Sequence, residues 1–174
     1  VGPSVALPGG RVATGHNDSI RVWTTTGELL ATLEGHAGVV FALACTTAGD
    51  IVSGCFDGTV KVWRDNACVR TLRGHRGVGL RRAVYAVVVS PFDDTIVSGS
   101  YDRTAKVWSA STGECVATLE GHISCVSAVC VLSNGDVATA SFDWSVRVWQ
   151  RGSWACTAVH AEGGEVWRMA ALPG

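Results

Sequence analysis

The chain has 174 residues, a formal net charge of −1 and a mean hydropathy of +0.25, and its length allows one domain or part of a larger one. The near-neutral charge of the chain as a whole does not indicate nucleic-acid binding. Hydrophobic residues form short Val- and Ala-rich runs, far below the roughly 18 residues of a membrane helix. We therefore predict an apolar domain of many buried strands and no membrane partner.

Four similar segments, each ending in tryptophan, recur along the chain. In chain order they are NDSIRVW (17–23), DGTVKVW (57–63), DRTAKVW (102–108) and DWSVRVW (143–149). Each period contains four short strand candidates separated by turn residues, and in the second period these are 39–45, 50–54, 59–63 and 68–72. Four short strands in about 40 residues are typical of one blade of a β-propeller.

A Gly-His pair precedes three of these segments, at Gly35-His36, Gly74-His75 and Gly121-His122. The order Gly-His, Ser/Thr-Gly, Asp and Val-x-Val-Trp resembles the WD-repeat β-propeller family over essentially the whole chain, although the literal Trp-Asp dipeptide is absent. The resemblance implies an all-β fold with four four-stranded antiparallel blades. We place these blades at about 1–34, 35–73, 74–120 and 121–160.

The chain ends much as it begins, because ALPG occurs at 6–9 and again at 171–174. We therefore predict that 161–174 is the inner strand of a fifth repeat. Rings of this family usually have seven or eight blades, as the resemblance implies, which makes the chain one arc of a ring. The missing blades would come from the same polypeptide or from another copy. A closed four-bladed ring is possible but leaves the extra strand unexplained.

In each repeat a Ser or Thr lies four residues before an Asp, and a His, a hydroxyl, an Asp and a Trp in this order could suggest a hydrolase. A catalytic site would occur once, however, and not in every repeat. The resemblance implies a hydrogen-bonded network inside each blade, which also satisfies polar groups that are buried. The predicted sets are His36–Ser53–Asp57–Trp63, His75–Ser98–Asp102–Trp108 and His122–Thr139–Asp143–Trp149.

The first repeat departs from this pattern, because the chain starts too late to supply a Gly-His pair before its first strand, and Asp18 lies five residues before Trp23 instead of six. We predict no complete network there. We also predict no enzyme, no cofactor and no metal site, since the chain has no phosphate-binding glycine loop, no EF-hand, no G-x-S-x-G motif and no C-x-x-C pair.

Aromatic residues are concentrated at positions that the resemblance places on one rim, where partners of the family bind. Six of nine such positions are aromatic, although aromatic residues make up only 7% of the chain. The six are Phe41, Phe56, Tyr85, Tyr101, Phe142 and Trp167. Exposed aromatic side chains often anchor protein interfaces. The alternative is that these rings pack on one another around the central channel.

Half of the 14 Lys and Arg residues fall within residues 61–82, where the third repeat has a five-residue insertion. We predict that Arg81 and Arg82, in this insertion, belong to the partner-binding rim. An acidic or phosphorylated peptide would suit them, and a solvated loop is the alternative. The seven cysteines, an odd number, are expected to be buried and reduced, which favours an intracellular and specifically cytoplasmic location.

These patterns predict a non-catalytic protein-interaction scaffold that binds a partner protein or peptide on its rim. The alternative is a structural arc of a larger propeller inside a multi-protein assembly, with its edges and sides as the interfaces. Nucleic-acid binding is the weaker alternative, and a steep dependence of binding on salt would distinguish it.

Overall fold

The computed structural model describes residues 2–161, which form sixteen β-strands and one short 3-10 helix. The first two sheets contain β1 Ser4–Leu7, β2 Arg11–Gly15, β3 Ser19–Thr24, β4 Leu29–Glu34, β5 Val40–Cys45, β6 Ile51–Cys55, β7 Thr59–Arg64 and β8 Ala67–Arg73. The last two contain β9 Val84–Val89, β10 Ile96–Ser100, β11 Ala105–Trp108, β12 Cys115–Leu119, β13 Val126–Val131, β14 Val137–Ser141, β15 Ser145–Trp149 and β16 Cys156–Ala161.

Each set of four consecutive strands forms one antiparallel sheet in sequence order. Neighbouring sheets contact each other through their first strands, β1 with β5, β5 with β9 and β9 with β13. This confirms the prediction of four four-stranded antiparallel blades in an all-β fold. The number of blades in the ring stays a prediction, and the expected inner strand at 161–174 lies outside the described residues except for Ala161, which ends β16.

The core lies between the blades and not inside any single sheet. Three apolar clusters join the first blade to the second, the second to the third and the third to the fourth. At each interface, apolar residues of one blade pack against the repeated tryptophan of the next, as Val60 and Val62 do with Trp108. The repeated Val-x-Val-Trp segment therefore supplies both sides of the interface, because its valines and its tryptophan face opposite neighbours.

Close contact between blades requires glycine at one place in the second strand. A Cβ atom at Gly54 would lie 2.6 Å from Val84 Cγ1 of the next blade, and one at Gly99 would lie 2.8 Å from Val126 Cγ1. Such distances are shorter than van der Waals contact, so any side chain there would separate the blades. The Ser/Thr-Gly step of the repeat is thus explained by packing.

Irregularities recur at the same places in the blades. In the outer strands the pairing shifts beside the tryptophan, between Val62 and Trp63 and between Val107 and Trp108. The side chains that bulge here, Val69 and Val116, are exposed. Because outer strands are sheet edges, bulges hinder their pairing with another chain.

The cysteines only partly follow the prediction of burial. Four of them are buried or half-buried, namely Cys45, Cys55, Cys125 and Cys130. The prediction is wrong for Cys68, Cys115 and Cys156, which are exposed because each is the first or second residue of an outer strand. All seven thiols are free. Among the described residues, no helix has the length and apolar character needed to cross a membrane.

Candidate functional site

The third blade contains a chain of hydrogen bonds that runs from its tryptophan to its aspartate. Trp108 Nε1 donates to Ser98 Oγ at 2.8 Å, Ser98 Oγ lies 2.8 Å from His75 Nε2, and His75 Nδ1 lies 2.9 Å from Asp102 Oδ2. Ser98 accepts from the indole, so its own proton is directed to His75 Nε2. His75 then carries its proton on Nδ1 and donates it to the Asp102 carboxylate.

The second and fourth blades repeat this arrangement. The indole-to-hydroxyl distances are 2.8 Å for Trp63–Ser53 and 2.9 Å for Trp149–Thr139. The hydroxyl-to-imidazole distances are 2.7 Å for Ser53–His36 and 2.8 Å for Thr139–His122. The last link is longer in the second blade, 3.5 Å for His36–Asp57 against 3.0 Å for His122–Asp143. The twelve residues predicted for the three networks therefore lie together as predicted groups of four, one group in each of the second, third and fourth blades.

The aspartate also joins two loops at one end of the blade. Asp102 Oδ2 accepts the Arg76 backbone N–H at 2.8 Å, and Asp102 Oδ1 accepts the Thr104 backbone N–H at 3.0 Å and hydroxyl at 2.7 Å. Burial raises the pKa of Asp102, but hydrogen bonds led by the one from His75 outweigh it and lower this pKa to about 2. The same balance holds the pKa values of Asp57 and Asp143 well below their usual range.

The first blade contains a shorter version of the network. Trp23 Nε1 donates to Thr14 Oγ1 at 2.8 Å, and Thr14 Oγ1 lies 3.0 Å from His16 Nε2. The imidazole thus comes from a residue two places along the chain instead of from a preceding Gly-His loop. The sequence carries a signal for this, since a His follows Thr14-Gly15 directly.

One group of potential metal ligands lies in the second network. The ligand atoms of His36, Cys55 and Asp57 all lie within 4.8 Å of one another. Burial raises the pKa of the Cys55 thiol to about 12, and this thiol donates to Gly38 O at 3.1 Å. These side chains also hold the turn together, because Asp57 accepts hydrogen bonds from the backbone N–H groups of Ala37 and Thr59. Ser100 occupies the equivalent place in the third blade and likewise donates to a backbone carbonyl.

The rim positions are set by repeated backbone features. The first two strands of a blade shift their pairing around Phe41 in the second blade and around Tyr85 in the third. Each of these residues is therefore the extra residue of a β-bulge, which redirects a side chain. The residue before each turn aspartate is held to the same loop, since Phe56 N donates to Val39 O at 2.9 Å and Tyr101 N to Ala83 O at 2.9 Å.

Four of the six predicted aromatic residues form a continuous row, which we call the aromatic row: Phe56, Phe41, Tyr85 and Tyr101. Successive ring centroids are 6.4, 5.0 and 6.2 Å apart, and the central pair is stacked. Three of these side chains are half-buried and Tyr101 is exposed. The rings therefore pack on one another, and they still present part of their surface to solvent.

Two predicted aromatic rim positions are not part of the described row. Phe142 is half-buried in the fourth blade, and its backbone N–H donates to Cys125 O at 3.0 Å as its counterparts do in the other blades. Trp167 lies outside the described residues. The bulge of the fourth blade carries Ser127, so this blade contributes one aromatic residue to the predicted rim positions, where the second and third blades each contribute two.

The basic residues of 61–82 do not act as one cluster. Lys61 is buried and donates to Thr71 Oγ1 at 2.8 Å, Arg64 binds Asp50 at 2.6 Å, and Arg70 donates to backbone carbonyls of the third blade. The insertion folds as a 3-10 helix at Gly79–Arg82. A Cβ atom at Gly58 would lie 2.7 Å from Arg82 Cγ, so the Arg82 stem covers the turn of the second blade.

Arg81 instead lines a cavity of about 760 Å³ on the rim between the third and fourth blades. Arg76, Arg103 and Lys106 also line this cavity, beside Tyr101 and Phe142. The sequence reasoning missed Arg103 and Lys106. The available signal is the turn position after the aspartate, where the second blade has Gly58 but the third has Arg103 and the fourth has Trp144.

Comparison with known proteins places the repeats in a family. The family model described as WD domain, G-beta repeat matches residues 27–64, 66–109 and 113–150, about two thirds of the chain. Proteins of this family act as protein-interaction scaffolds and are generally non-catalytic.

Similar proteins have diverse names. A phospholipase A-2-activating protein from Xenopus laevis is 41% identical over 91 residues, which are 51% of this chain and 11% of that protein. A nuclear distribution protein nudF 1 from Talaromyces marneffei is 33% identical over 71% of this chain and 28% of that protein. A ribosome biogenesis protein WDR12 homolog from Arabidopsis thaliana is 26% identical over 79% of this chain and 40% of that protein.

The chain thus spans less than half the length of these relatives. Each of the three matched segments contains one Gly-His pair and one of the segments that end in tryptophan. The chain belongs to the WD-repeat family.

Proposed function

We propose that the chain is a non-catalytic scaffold that binds a partner protein or peptide on its rim, with the aromatic row as the anchor. The observation that carries this proposal is the continuous row of four rings on one rim. Two of them are presented by β-bulges, and Tyr101 keeps 38% of its surface exposed. Aromatic side chains supply a large contact area at a small cost in conformational entropy, which suits them to protein interfaces.

Three of the rim residues that the sequence suggested would serve alongside the row. Phe142 continues the aromatic surface onto the fourth blade, and Arg81 adds positive charge beside it. An acidic or phosphorylated segment of the partner would suit this charge. We assign Arg82 a supporting part, because its stem covers Gly58. Trp167 stays in the proposal on its sequence position alone.

The experiment is affinity capture with the whole chain, comparing wild type, a Phe56→Ala/Tyr101→Ala variant and a Phe92→Ala variant. Phe92 is also an exposed aromatic residue, but it lies in the loop between β9 and β10, at the opposite end of the blade. We expect the rim variant to lose specific proteins that the Phe92→Ala variant retains. The proposal fails if both variants capture the same proteins as wild type, or if the rim variant loses them only together with its cooperative melting transition.

We further propose that the twelve network residues are structural and not catalytic. Ser53, Ser98 and Thr139 each have 0% exposure, so a substrate has no access to their hydroxyls. Each hydroxyl is also occupied twice, by an indole donor and by an imidazole. A nucleophile needs a free approach to the reacting carbon.

A structural arc of a larger propeller is the second candidate function, and one observation favours it. Val146 and Val148 of the fourth blade are half-buried, whereas the equivalent Val60 and Val62 of the second blade are covered by the next blade. A further blade, from this polypeptide or another copy, would complete the interface. Substitution of Val148 by Asp separates the two candidates, because it should disturb assembly of the ring and leave the aromatic row intact.

We also propose an intracellular location. The support is that all seven cysteines are free, three of them exposed, and exposed thiols persist where the environment is reducing. Proteins named for ribosome biogenesis and nuclear distribution are among the relatives. Localisation of a fluorescent fusion tests this, and secretion of the fusion into the medium would contradict it.

A further inference from the structure

The rim cavity between the third and fourth blades has a positively charged lining. Four cationic side chains line it, from Arg76, Arg81, Arg103 and Lys106. Two carboxylates also line it, those of Asp102 and Glu120. Four positive against two negative charges leave a formal charge of +2 in the lining, although the whole chain has a net charge of −1.

The arginines of the cavity form no ion pair with a carboxylate of the described residues. The ion pairs found among residues 2–161 use other arginines, such as Arg64 with Asp50 and Arg151 with Asp93. Asp102, the nearest acid in sequence, is already committed to His75, to the Arg76 backbone and to Thr104. The guanidinium groups of Arg76, Arg81 and Arg103 therefore remain available to an external anion.

Arg103 occupies a place in the backbone that favours glycine. Its φ angle is +74°, and the equivalent residue of the second blade is Gly58 with a φ of +80°. The left-handed region is unfavourable for residues with a side chain. A strained non-glycine residue beside a cavity is a reason to look for a function of its side chain.

We propose that this cavity binds an oxyanion carried by the partner, either a phosphate monoester or a carboxylate, through Arg76, Arg81, Arg103 and Lys106. Guanidinium groups bind such oxyanions through pairs of parallel hydrogen bonds, which are stronger than neutral ones. Lys106 is buried and donates to Thr118 at 2.7 Å, and its ammonium group has two further donors. The identity of the carrier as a protein rests on the proposed function, whereas binding of the anion does not.

The shape of the charged region favours a single anion over a nucleic-acid backbone. The cations surround one concavity of about 760 Å³, flanked by Tyr101 and Phe142. The nearby Lys61, Arg64 and Arg70 are used inside the fold. A nucleic acid would need a stripe of cations that follows the phosphates.

The test is titration of the whole chain with inorganic phosphate, phenyl phosphate and glutarate, followed by calorimetry and by NMR of the arginine side chains. We expect saturable binding with signals moving at Arg76, Arg81 and Arg103. Binding of phenyl phosphate but not glutarate identifies a phosphate monoester as the ligand, and the reverse identifies a carboxylate. Binding of neither, or signals that move only at Arg64 and Arg70, overturns the proposal.

The informative variant is Arg103→Gly, because it removes a cation and at the same time relieves the backbone. We expect it to weaken anion binding by about tenfold, the effect of one charge-assisted contact, without a lower melting temperature. Trp144→Gly is the matched control, since Trp144 has a φ of +66° in the equivalent turn of the fourth blade and carries no charge. Equal affinities for the two variants would overturn the proposal.

The outcomes of this test and of the capture experiment are separable. Small anions need no partner, so binding of phenyl phosphate can succeed even if the Phe56→Ala/Tyr101→Ala variant captures the same proteins as wild type. In that case the anion site stands and the aromatic anchor fails. If the rim variant loses its partner and the wild type binds no small anion, the scaffold proposal is supported and the anion-site proposal is overturned. If the chain binds duplex RNA but none of the small anions, and if this binding weakens steeply with added salt, the assignment to a group carried by a protein is also overturned.

Discussion

His16 Nε2 lies 3.0 Å from Thr14 Oγ1, so the first blade obtains its imidazole from within its own strand-turn segment. In the third blade His75 instead connects a preceding loop to Ser98 and to Asp102, 23 and 27 residues away. We expect His75→Ala to lower the free energy of unfolding by about 2–4 kcal/mol, since it leaves buried partners unsatisfied. His16→Ala should cost about 1 kcal/mol or less. Urea unfolding measures both, and equal losses would contradict the difference in roles.

Acid should destabilise the fold through the network aspartates. The pKa of Asp102 is lowered to about 2 from an ordinary value of 3.8, so the unfolded state binds more protons between these values. The stability that Asp102 contributes is complete above about pH 4 and is lost as the pH falls towards 2. Asp102→Asn should make the slope of stability against pH shallower in this window, by up to about 1.4 kcal/mol per pH unit. Urea unfolding at several pH values checks this, and an unchanged slope would argue against the hydrogen-bonded geometry.

At the turn position after each network aspartate, introducing glycine should stabilise the fold and removing it should destabilise the fold. Arg103 and Trp144 have φ angles of +74° and +66°, so Arg103→Gly and Trp144→Gly should each raise the free energy of unfolding by about 0.5–1 kcal/mol. Gly58→Ala should lower it by about 1–3 kcal/mol, because φ is +80° and the new Cβ atom would lie 2.7 Å from Arg82 Cγ. Thermal unfolding of the three variants provides the measurement. Stabilisation by Gly58→Ala would show that the turn is wrongly described.

Thiol labelling should separate the cysteines into two classes. Cys68, Cys115 and Cys156 are exposed and should react with a maleimide at least about ten times faster than the others. Burial raises the pKa of Cys55 and of Cys125 to about 12, so these thiols should react only after unfolding. Mass spectrometry of the labelled peptides gives the rates. Rapid labelling of Cys125 in the folded chain would contradict its place beneath the rim.

Much of this fold could be predicted from the sequence because a blade is built from local contacts. The constant spacing of Ser98, Asp102 and Trp108 and of their equivalents predicts the strands of the sheet, and the family resemblance implies the partners of its buried polar groups. The family resemblance places the aromatic positions on one rim, and four of the six rings lie in one row. Packing of the rings on one another was one of the two interpretations of the sequence, but the β-bulge at Phe41 could not be predicted, because it depends on strand pairing that no spacing reveals.

Several features depend on which face a side chain occupies, and these escaped prediction. Lys61 counts as one more charge in the sequence, yet its ammonium group is buried against Thr71. Cys68 lies in an apolar segment, yet that segment is an edge strand and the thiol is exposed. Arg103 belongs to a turn whose glycine preference is visible only by comparison with Gly58. Its place beside the cavity depends on how the third and fourth blades pack, which the sequence does not reveal.

The matched segments and the sheets are out of step by one strand. The segment 27–64 contains β4, which completes the first sheet, and β5 to β7, which begin the second. If a gene grows by copying this segment, each new copy closes the sheet before it and leaves the next one waiting for a fourth strand. An array of any length then keeps its sheets complete except at the last copy. Lengthening by duplication therefore never requires an intermediate protein with a gap in its middle.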